Sequence, residues 1–234
     1  MVYVTSDIHG YPLPAFRQKL DEAGFTAEDR LYVLGDVVDR NGDGGVEMLL
    51  WMMKQPNVEL LLGNHEAMLL SCSFLFDEAA GEPDGGFDFR NTALLLQWMS
   101  NGCEPTLRSL RRLRKKDPEL LRDLLDYLAR APLHASVSAC GRKFLLVHSG
   151  LGNFDPGRKI SDYSPEELLW HRPEAGEQYF PDVMTVLGHT PAGAFFGTRG
   201  KMFQTETWID IDVGAAGGKI PPMLLRLDDL KAFY

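Results

Sequence analysis

The sequence predicts an α/β layered fold, and three observations predict it. Short apolar runs alternate with helical patterns along the chain. Each of the first five runs ends in a cluster of Asp, Asn or His flanked by glycine. No Pro-, Gly- or Ser-rich stretch is long enough to act as an interdomain linker and no internal repeat is visible, so residues 1–234 read as a single domain.

The runs at 2–6, 31–34, 58–62, 144–147, 183–187 and 208–213 read as strands, short and rich in Val, Ile, Leu and aromatic residues. Residues 12–23 read as a helix stopped by Gly24, and 46–54 as a largely apolar one ended before Pro56. Asp117-Pro118 supplies an N-cap and a first-turn proline, and leucines at 120, 121, 124, 125 and 128 follow as one buried stripe. Ser164-Pro165-Glu166-Glu167 opens a short helix in the same way. Residues 77–90, with Gly81, Pro83, Gly85 and Gly86 among acids, form the expected loop, either a plain surface loop or a cover over a site. A helix between Pro105 and Asp117 carries Arg108, Arg111, Arg112, Arg114, Lys115 and Lys116, which read as a solvated face, with docking of an acidic partner as the alternative.

Composition excludes several classes. With 44% hydrophobic and 24% charged residues and no apolar run approaching about 18 residues, nothing spans a membrane as a helix. The first residues lack the basic head and apolar core of a secretory signal, so a cytoplasmic location is expected. A net charge of −9 leaves no surplus of Lys and Arg to neutralise phosphates, which argues against a nucleic acid partner. Cys72, Cys103 and Cys140 are odd in number and form no Cys-x-x-Cys pair, so each is expected to be a reduced thiol in a packed position.

The chemistry follows the strands. The first runs into Asp7-Ile8-His9-Gly10, the second into Gly35-Asp36-Val37-Val38-Asp39-Arg40, and the third into Gly63-Asn64-His65-Glu66. The fourth ends at His148-Ser149-Gly150 and the fifth at Gly188-His189-Thr190. Carboxyl ends of strands gather at one rim of an open α/β sheet, where ligand sites form, so these side chains can converge. Taken singly, each is a strand-end turn or a satisfied core histidine; but four of the six histidines occupy such ends, which coincidence explains poorly. A set of His, Asp and Asn suits divalent metals, and one shared carboxylate can hold two of them.

Asp7-x-His9, Gly35-Asp36-x-x-Asp39-Arg40, Gly63-Asn64-His65-Glu66, His148 and Gly188-His189 together resemble the calcineurin-like metallophosphoesterases, and within them the PPP family of serine/threonine protein phosphatases. The stretches 168–172 and 187–192 are most similar to the compact bacterial and bacteriophage lambda-type members, and the likeness runs from residue 3 to about 218. The resemblance implies a four-layer α/β/β/α sandwich with a two-metal site at the carboxyl ends of the strands, and a helical insertion at about 77–130 bordering it. It implies that Asp7, His9 and Asp36 hold one metal and that Asp36, Asn64, His148 and His189 hold the other. It implies that His65 is the general acid, oriented and raised in pKa by Asp39, and that Arg40 grips phosphoryl oxygens. Arg172 matches a second phosphate-binding arginine by its Trp-x-Arg context, the alternative being a surface arginine after a short helix. Manganese is the metal the bacterial likeness suggests, with Fe²⁺ and Zn²⁺ left open.

The activity so implied is hydrolysis of a phosphoprotein or phosphopeptide by a metal-bridging hydroxide attacking phosphorus in line, with small phosphoesters and phosphotyrosine left open. Two divalent ions outweigh Asp7, Asp36 and one hydroxide in charge, which leaves a positive pocket suited to a phosphomonoester dianion. Symmetrical diadenosine tetraphosphate hydrolysis is the alternative within the fold. Its enzymes tend to carry Asp where Glu66 stands, so Gly-Asn-His-Glu favours the protein phosphatase. A phosphopeptide-binding protein without turnover is the alternative from another class. Asn41 replaces a family glycine, a change that Asn tolerates because it also enters the left-handed region. Gly188-His189-Thr190-Pro191 lacks the second histidine of Gly-His-x-His, which disfavours a phosphodiesterase. A stretch resembling Trp-x-x-Asn-Gly begins at Trp98, for which burial is an equal explanation. Oligomeric state is not legible.

Overall fold

A computed structural model describes residues 1–76, 89–195 and 200–234. In its first half, strands and helices alternate as β1 (Val2–Thr5), α1 (Leu13–Glu22), β2 (Arg30–Val33), α2 (Val46–Met52), β3 (Val58–Leu60) and α3 (Asn64–Ser71). Three helices follow, α4 (Phe89–Ser100), α5 (Glu104–Lys116) and α6 (Pro118–Ala129). The second half is β4 (His134–Ala139), β5 (Arg142–Val147), α7 (Pro165–Leu169), β6 (Met184–Leu187), β7 (Phe203–Gln204), β8 (Trp208–Asp210), β9 (Leu224–Arg226) and β10 (Lys231–Phe233).

The strands form two mixed sheets of five, ordered β10-β9-β1-β2-β3 and β4-β5-β6-β8-β7. Each holds a parallel run, β1-β2-β3 in one and β5-β6-β8 in the other; the remaining pairings, β1-β9-β10, β4-β5 and β8-β7, are antiparallel. Successive side chains of a strand face opposite sides, and the sequence uses both. Val4, Tyr32 and Leu34 of the first sheet meet Phe144, Leu146, Val186 and Ile209 of the second in one cluster between the sheets. Tyr3, Leu31 and Val33 face the other way, into Phe16, Met48, Leu49, Leu69, Leu110 and Leu124 of the helices. Leu145, Val147, Leu187 and Trp208 face Leu168 of α7 on the far side of the second sheet. The order helix, sheet, sheet, helix is the four-layer α/β/β/α sandwich expected from the sequence.

Local signals set the helix ends. Gly24, at φ +77°, ends α1 in the left-handed conformation that glycine adopts without steric penalty. The Asp117 carboxylate accepts the Leu120 N–H at 3.0 Å, and Leu121, Leu124 and Leu128 bury the predicted stripe. Ser164 and Glu167 cap α7 reciprocally, Ser164 Oγ accepting the Glu167 N–H and Glu167 accepting the Ser164 N–H at 2.8 Å.

Several expectations need correction. Strands β4, β7, β9 and β10 carry no long apolar run and were absent from the sequence prediction, because they are edge or short strands with half-buried residues. Of the predicted loop 77–90, residues 77–88 lie outside the described residues, while Phe89 and Arg90 already belong to α4. All three cysteines are free, but Cys140 is exposed at the turn after β4, not packed; Cys72 and Cys103 are buried. The basic residues of α5 do form a largely solvated face. No helix among the described residues is long and apolar enough to cross a membrane.

Candidate metal centre

The parallel strands of both sheets deliver their carboxyl ends to one rim, and the backbone turns abruptly there. Among the described residues nine non-glycine residues have positive φ, and six of them are Asp7, His9, Asp36, Asp39, Arg40 and His189. Left-handed backbone costs an L-residue on the order of 1–3 kcal/mol, so such a concentration marks a site that the surrounding fold holds in place. Asn41, expected to take the left-handed position, does not. Its amide instead donates to His9 O at 3.0 Å and Ala216 O at 3.1 Å, tying two rim loops together. Gly63 and Gly188 allow close approach: a Cβ on Gly63 would lie 2.4 Å from Asp36 Oδ1, and one on Gly188 2.3 Å from Asp7 Oδ2.

All six predicted metal ligands are buried and converge. Asp36 sits at the centre, its Oδ2 3.5 Å from His9 Nε2 and its Oδ1 3.4 Å from His148 Nε2. Two triads have ligand atoms close enough to share one ion each, His9, Asp36 and His65, and Asp36, His148 and His189. Asp7 joins the first side through Oδ1, 3.8 Å from His9 Nε2, while its Oδ2 accepts Ser6 Oγ–H and the His189 N–H. His9 Nδ1 donates to Val38 O at 2.9 Å and His148 Nδ1 to Leu34 O at 2.7 Å, which fixes the tautomer that leaves each Nε2 lone pair facing Asp36.

The residues fit a pair of cations. Asn64 Oδ1 lies 2.9 Å from His148 Nε2, 3.0 Å from His189 Nδ1 and 3.2 Å from both Asp36 oxygens. Acceptors cannot satisfy one another, so without a cation the amide turns and donates its N–H groups to them, and its oxygen would face inward only with a cation among these groups. Burial, then Asp7 and Glu66, hold the Asp36 carboxyl well above the usual range. Burial pushes His9 down to about 3 and His189 down to about 2, so both are the neutral imidazoles a metal requires.

His65 Nδ1 meets Asp39 Oδ2 at 2.6 Å, as expected, and Arg40 Nη2 lies 3.3 Å from His65 Nε2. The expectation that Asp39 raises His65 is corrected: burial, then Arg40, then His148 hold His65 down at about 3. Asp39 itself is pushed up to about 6 by burial, against hydrogen bonds from Thr106 and Trp98. At neutral pH the pair is therefore a carboxylate accepting from a neutral imidazole. Arg40 and Arg172 both line the 160 Å³ cavity over the ligands, with exposed side chains. Arg172 Nη1 donates to His189 O at 3.2 Å, which places it at the rim beside a ligand instead of on remote surface.

Sequence reading singled out Trp98 but not its partner, and it missed Thr106, Asp210 and Asp212. Trp98 is wholly buried, and its indole N–H also donates to Asp39 Oδ2 at 2.9 Å. Thr106 Oγ donates to Asp39 Oδ1 at 2.6 Å and accepts the Asp39 N–H at 2.9 Å. Asp210 and Asp212 are buried carboxylic acids, and Asp212 lines the cavity; two acids at alternate positions of an apolar strand were the available signal. Burial and Asp212 raise Asp210, and burial and Asp7 raise Asp212. Glu66 touches no part of the cavity. It is wholly buried and accepts four backbone N–H groups, those of Asp36, Val37, Val38 and Gly63, at 2.8 to 3.1 Å. Its identity therefore reports on how the rim loops are braced and cannot distinguish substrates by contact.

A four-layer sandwich bearing two overlapping His/Asp/Asn ligand sets at its strand ends defines a dinuclear metal-dependent phosphoesterase. The family model for calcineurin-like phosphoesterases matches residues 1–211, and the chain belongs to that family. A symmetrical bis(5'-nucleosyl)-tetraphosphatase of Chromobacterium violaceum is 35% identical over 111 residues, 45% of this chain and 38% of that protein. One from an Acidovorax species is 36% identical over 74 residues, 31% of this chain and 26% of its own length. The matched stretches thus span well under half of these relatives. Among solved structures, one provisionally described as a diadenosine tetraphosphatase superposes at TM-score 0.63 and 17% identity, covering 99% of this chain and 90% of that one. A Saccharomyces cerevisiae protein serine/threonine phosphatase with similarity to human PP5 superposes at 0.52 and 17% identity, covering 89% and 65%. At these identities the superpositions speak for the fold alone.

Proposed function

We propose that the protein hydrolyses symmetrical dinucleoside tetraphosphates to two nucleoside diphosphates. The observation that carries this reading is the 35% identity with the Chromobacterium violaceum enzyme over 111 residues. The motif-based preference for phosphoproteins leaned on Glu66, whose carboxylate is spent on backbone N–H groups. In the reaction, the oxygen of water bonds to the second phosphorus of the tetraphosphate chain. The bond from that phosphorus to the central bridging oxygen breaks, and a nucleoside diphosphate leaves.

Asp7, His9 and Asp36 would hold one divalent cation, and Asp36, Asn64, His148 and His189 the second, with manganese as the proposed ion. Bound cations supply Lewis-acid polarisation of phosphoryl oxygens and a water acidified toward neutral pH. Arg40 and Arg172 present two guanidinium forks at the rim, suited to the many non-bridging oxygens of a polyphosphate chain. Arg40 leaves His65 Nε2 to reach these oxygens, and this frees that nitrogen to face the leaving oxygen. Asp39, held by Trp98 and Thr106, keeps His65 oriented with Nδ1–H inward. A nucleoside diphosphate is a weakly basic leaving group and departs without a full proton, which suits a resting His65 that is neutral. A serine alkoxide would first need His65 protonated at Nε2.

The test strips the protein of metal, restores Mn²⁺, and compares diadenosine tetraphosphate with a phosphoserine peptide under the same conditions. Expected is cleavage of the dinucleotide to ADP alone, with turnover reduced at least about a hundredfold in Asp36→Asn and in His65→Ala, and metal content kept in the latter. Preferential turnover of the peptide would return the function to a protein phosphatase. Metal binding with neither activity would leave a phosphate-binding protein.

A further inference from the structure

We infer that the groove beside the metal centre, divided from it by Trp170, is the subsite for one nucleoside of the substrate, an inference that rests on the proposed dinucleotide activity. The cavity over the metal ligands measures 160 Å³ and is lined by Asp, His, Asn and Arg side chains, room for phosphoryl groups and little more. A second groove of 540 Å³ adjoins it. That volume falls in the range of about 300–1,000 Å³ typical of small-molecule sites. Trp170 lines both, so a ligand leaving the first enters the second across the indole.

Trp170 is a large apolar side chain left 37% exposed on a rim whose other contributors, Pro191 and Ala216 apart, are polar or charged. Its ring stands at 84° to that of His189, centroids 6.1 Å apart, so it is fixed against a candidate metal ligand while much of it stays open to solvent. An aromatic face held rigidly beside a phosphate site is what a nucleobase stacks on, and such stacking raises affinity by roughly tenfold or more per base.

The walls of the groove name the rest of the ligand. Asn153, Ser164, Glu166 and His171 line it together with Trp170. Glu167, also there, is bound to Arg158 at 2.9 Å through each oxygen, and so offers no free carboxylate. Glu166 is exposed and has no ion pair among the described residues. A wall with a free carboxylate and no free arginine or lysine repels a further phosphate. It accepts hydroxyl and amino hydrogens, as a ribose and a base edge supply. The groove is thus chemically opposite to the cavity it adjoins: phosphates belong in one, a nucleoside in the other.

This arrangement also gives a reason for symmetrical cleavage. When the second phosphorus of the chain lies over the metal ligands, one phosphate and a ribose separate it from the base that reaches Trp170. A shift by one phosphate would put a charged group against Glu166 or pull the base off the indole. Trp170 and Glu166 are accordingly positioning and specificity residues, with no part in the bond changes.

The test uses the full chain loaded with Mn²⁺ and measures, by calorimetry, the affinity for ADP and for methyl diphosphate, which has the same charged group and no nucleoside. Wild-type protein is expected to bind ADP at least about tenfold more tightly, in line with the stacking energy. In Trp170→Leu the ratio of the two affinities falls to near one, Trp170→Phe restores most of it, and Glu166→Gln lowers it several-fold. The variants are then assayed on diadenosine tetraphosphate, where KM should rise more than kcat falls. If Trp170→Leu weakens both ligands equally while the dinucleotide is still the preferred substrate of the wild type, Trp170 only props His189; the subsite is overturned and the proposed function stands. If the wild type does not cleave the dinucleotide, the function falls and the subsite with it.

Discussion

Glu66 is one methylene longer than aspartate, and that length lets one carboxylate collect N–H groups from both the loop after β2 and the loop after β3. Glu66→Asp cannot reach all four, and each buried N–H left unpaired costs about 1–3 kcal/mol. The variant should melt at lower temperature and bind Mn²⁺ more weakly, with the ratio of dinucleotide to phosphopeptide turnover within about twofold of wild type. An inverted ratio in that assay would mean Glu66 reads the substrate after all. Gly188 makes a sharper case. A Cβ there would lie 2.2 Å from Ser6 Oγ and 2.3 Å from Asp7 Oδ2, both within the same hydrogen-bonded pair. Gly188→Ala must push Asp7 off its position, so the expected outcome is loss of about one metal ion per chain with the far-UV circular dichroism unchanged, because the contact is local. Metal analysis of the purified variant decides it.

Helix α7 is only five residues long, too short to persist without its caps and neighbours. It is held by Glu167, whose carboxylate takes Arg158, the Ser164 N–H and Asn153 and is thereby kept well below its usual value of 4.5, Arg158 contributing most. A depressed folded pKa means the carboxylate stabilises the fold above its unfolded value and ceases to do so as pH falls through the folded one. Glu167→Gln should therefore be less stable than wild type at pH 7, with the difference shrinking steadily below about pH 4.5; urea melts at two pH values measure this. Because α7 leads directly into Trp170 and Arg172, the variant should also weaken ADP binding. The starts of α6 and α7 were legible in the sequence because caps are local: Asp117 and Ser164 each accept from an N–H three residues away. Strands β4, β9 and β10 were not legible: β4 and β10 are half-buried edge strands, and β9 is a three-residue strand whose place is set by β1, more than 200 residues away.

The molecule as a whole concentrates acid at one rim. Asp7, Asp36, Asp39, Glu66, Asp210 and Asp212 are all buried within or beside the metal centre, whereas the charge count drawn from the sequence used Asp7 and Asp36 alone. The surplus of positive charge inferred from two cations and two carboxylates therefore depends on whether Asp210 and Asp212 are ionised, and burial keeps both raised. For these groups the folded pKa exceeds the unfolded one, so the metal-free fold is favoured below about pH 4 and disfavoured as pH rises through the raised values. Bound cations reverse that, adding roughly 2.7 kcal/mol per site at a hundredfold excess over Kd. Calorimetry with and without Mn²⁺ at pH 5 and pH 8 should show a melting-temperature gap that widens at the higher pH. A gap that is constant or narrows would mean these carboxyls are not compensated by metal.

The sequence by itself determined the layered fold and which polar side chains gather at its rim. Each of Asp7, His9, Asp36, Asn64, His148 and His189 lies within a few residues of a strand end, and strand ends can be read from apolar runs. Only the tertiary structure decided what supports and surrounds them. Trp98 and Thr106 reach Asp39 from helices about sixty residues further along, and Asp212 enters the rim from the opposite sheet. Trp170 lines both the cavity over the candidate metal ligands and the groove beside it. Such neighbours are set by how the two sheets stack and where the helices pack, long-range choices that leave no periodic mark in the chain. For the same reason a single glutamate is a poor guide to substrate class: its length answers to the spacing of two backbone loops, and its carboxylate does not line the cavity.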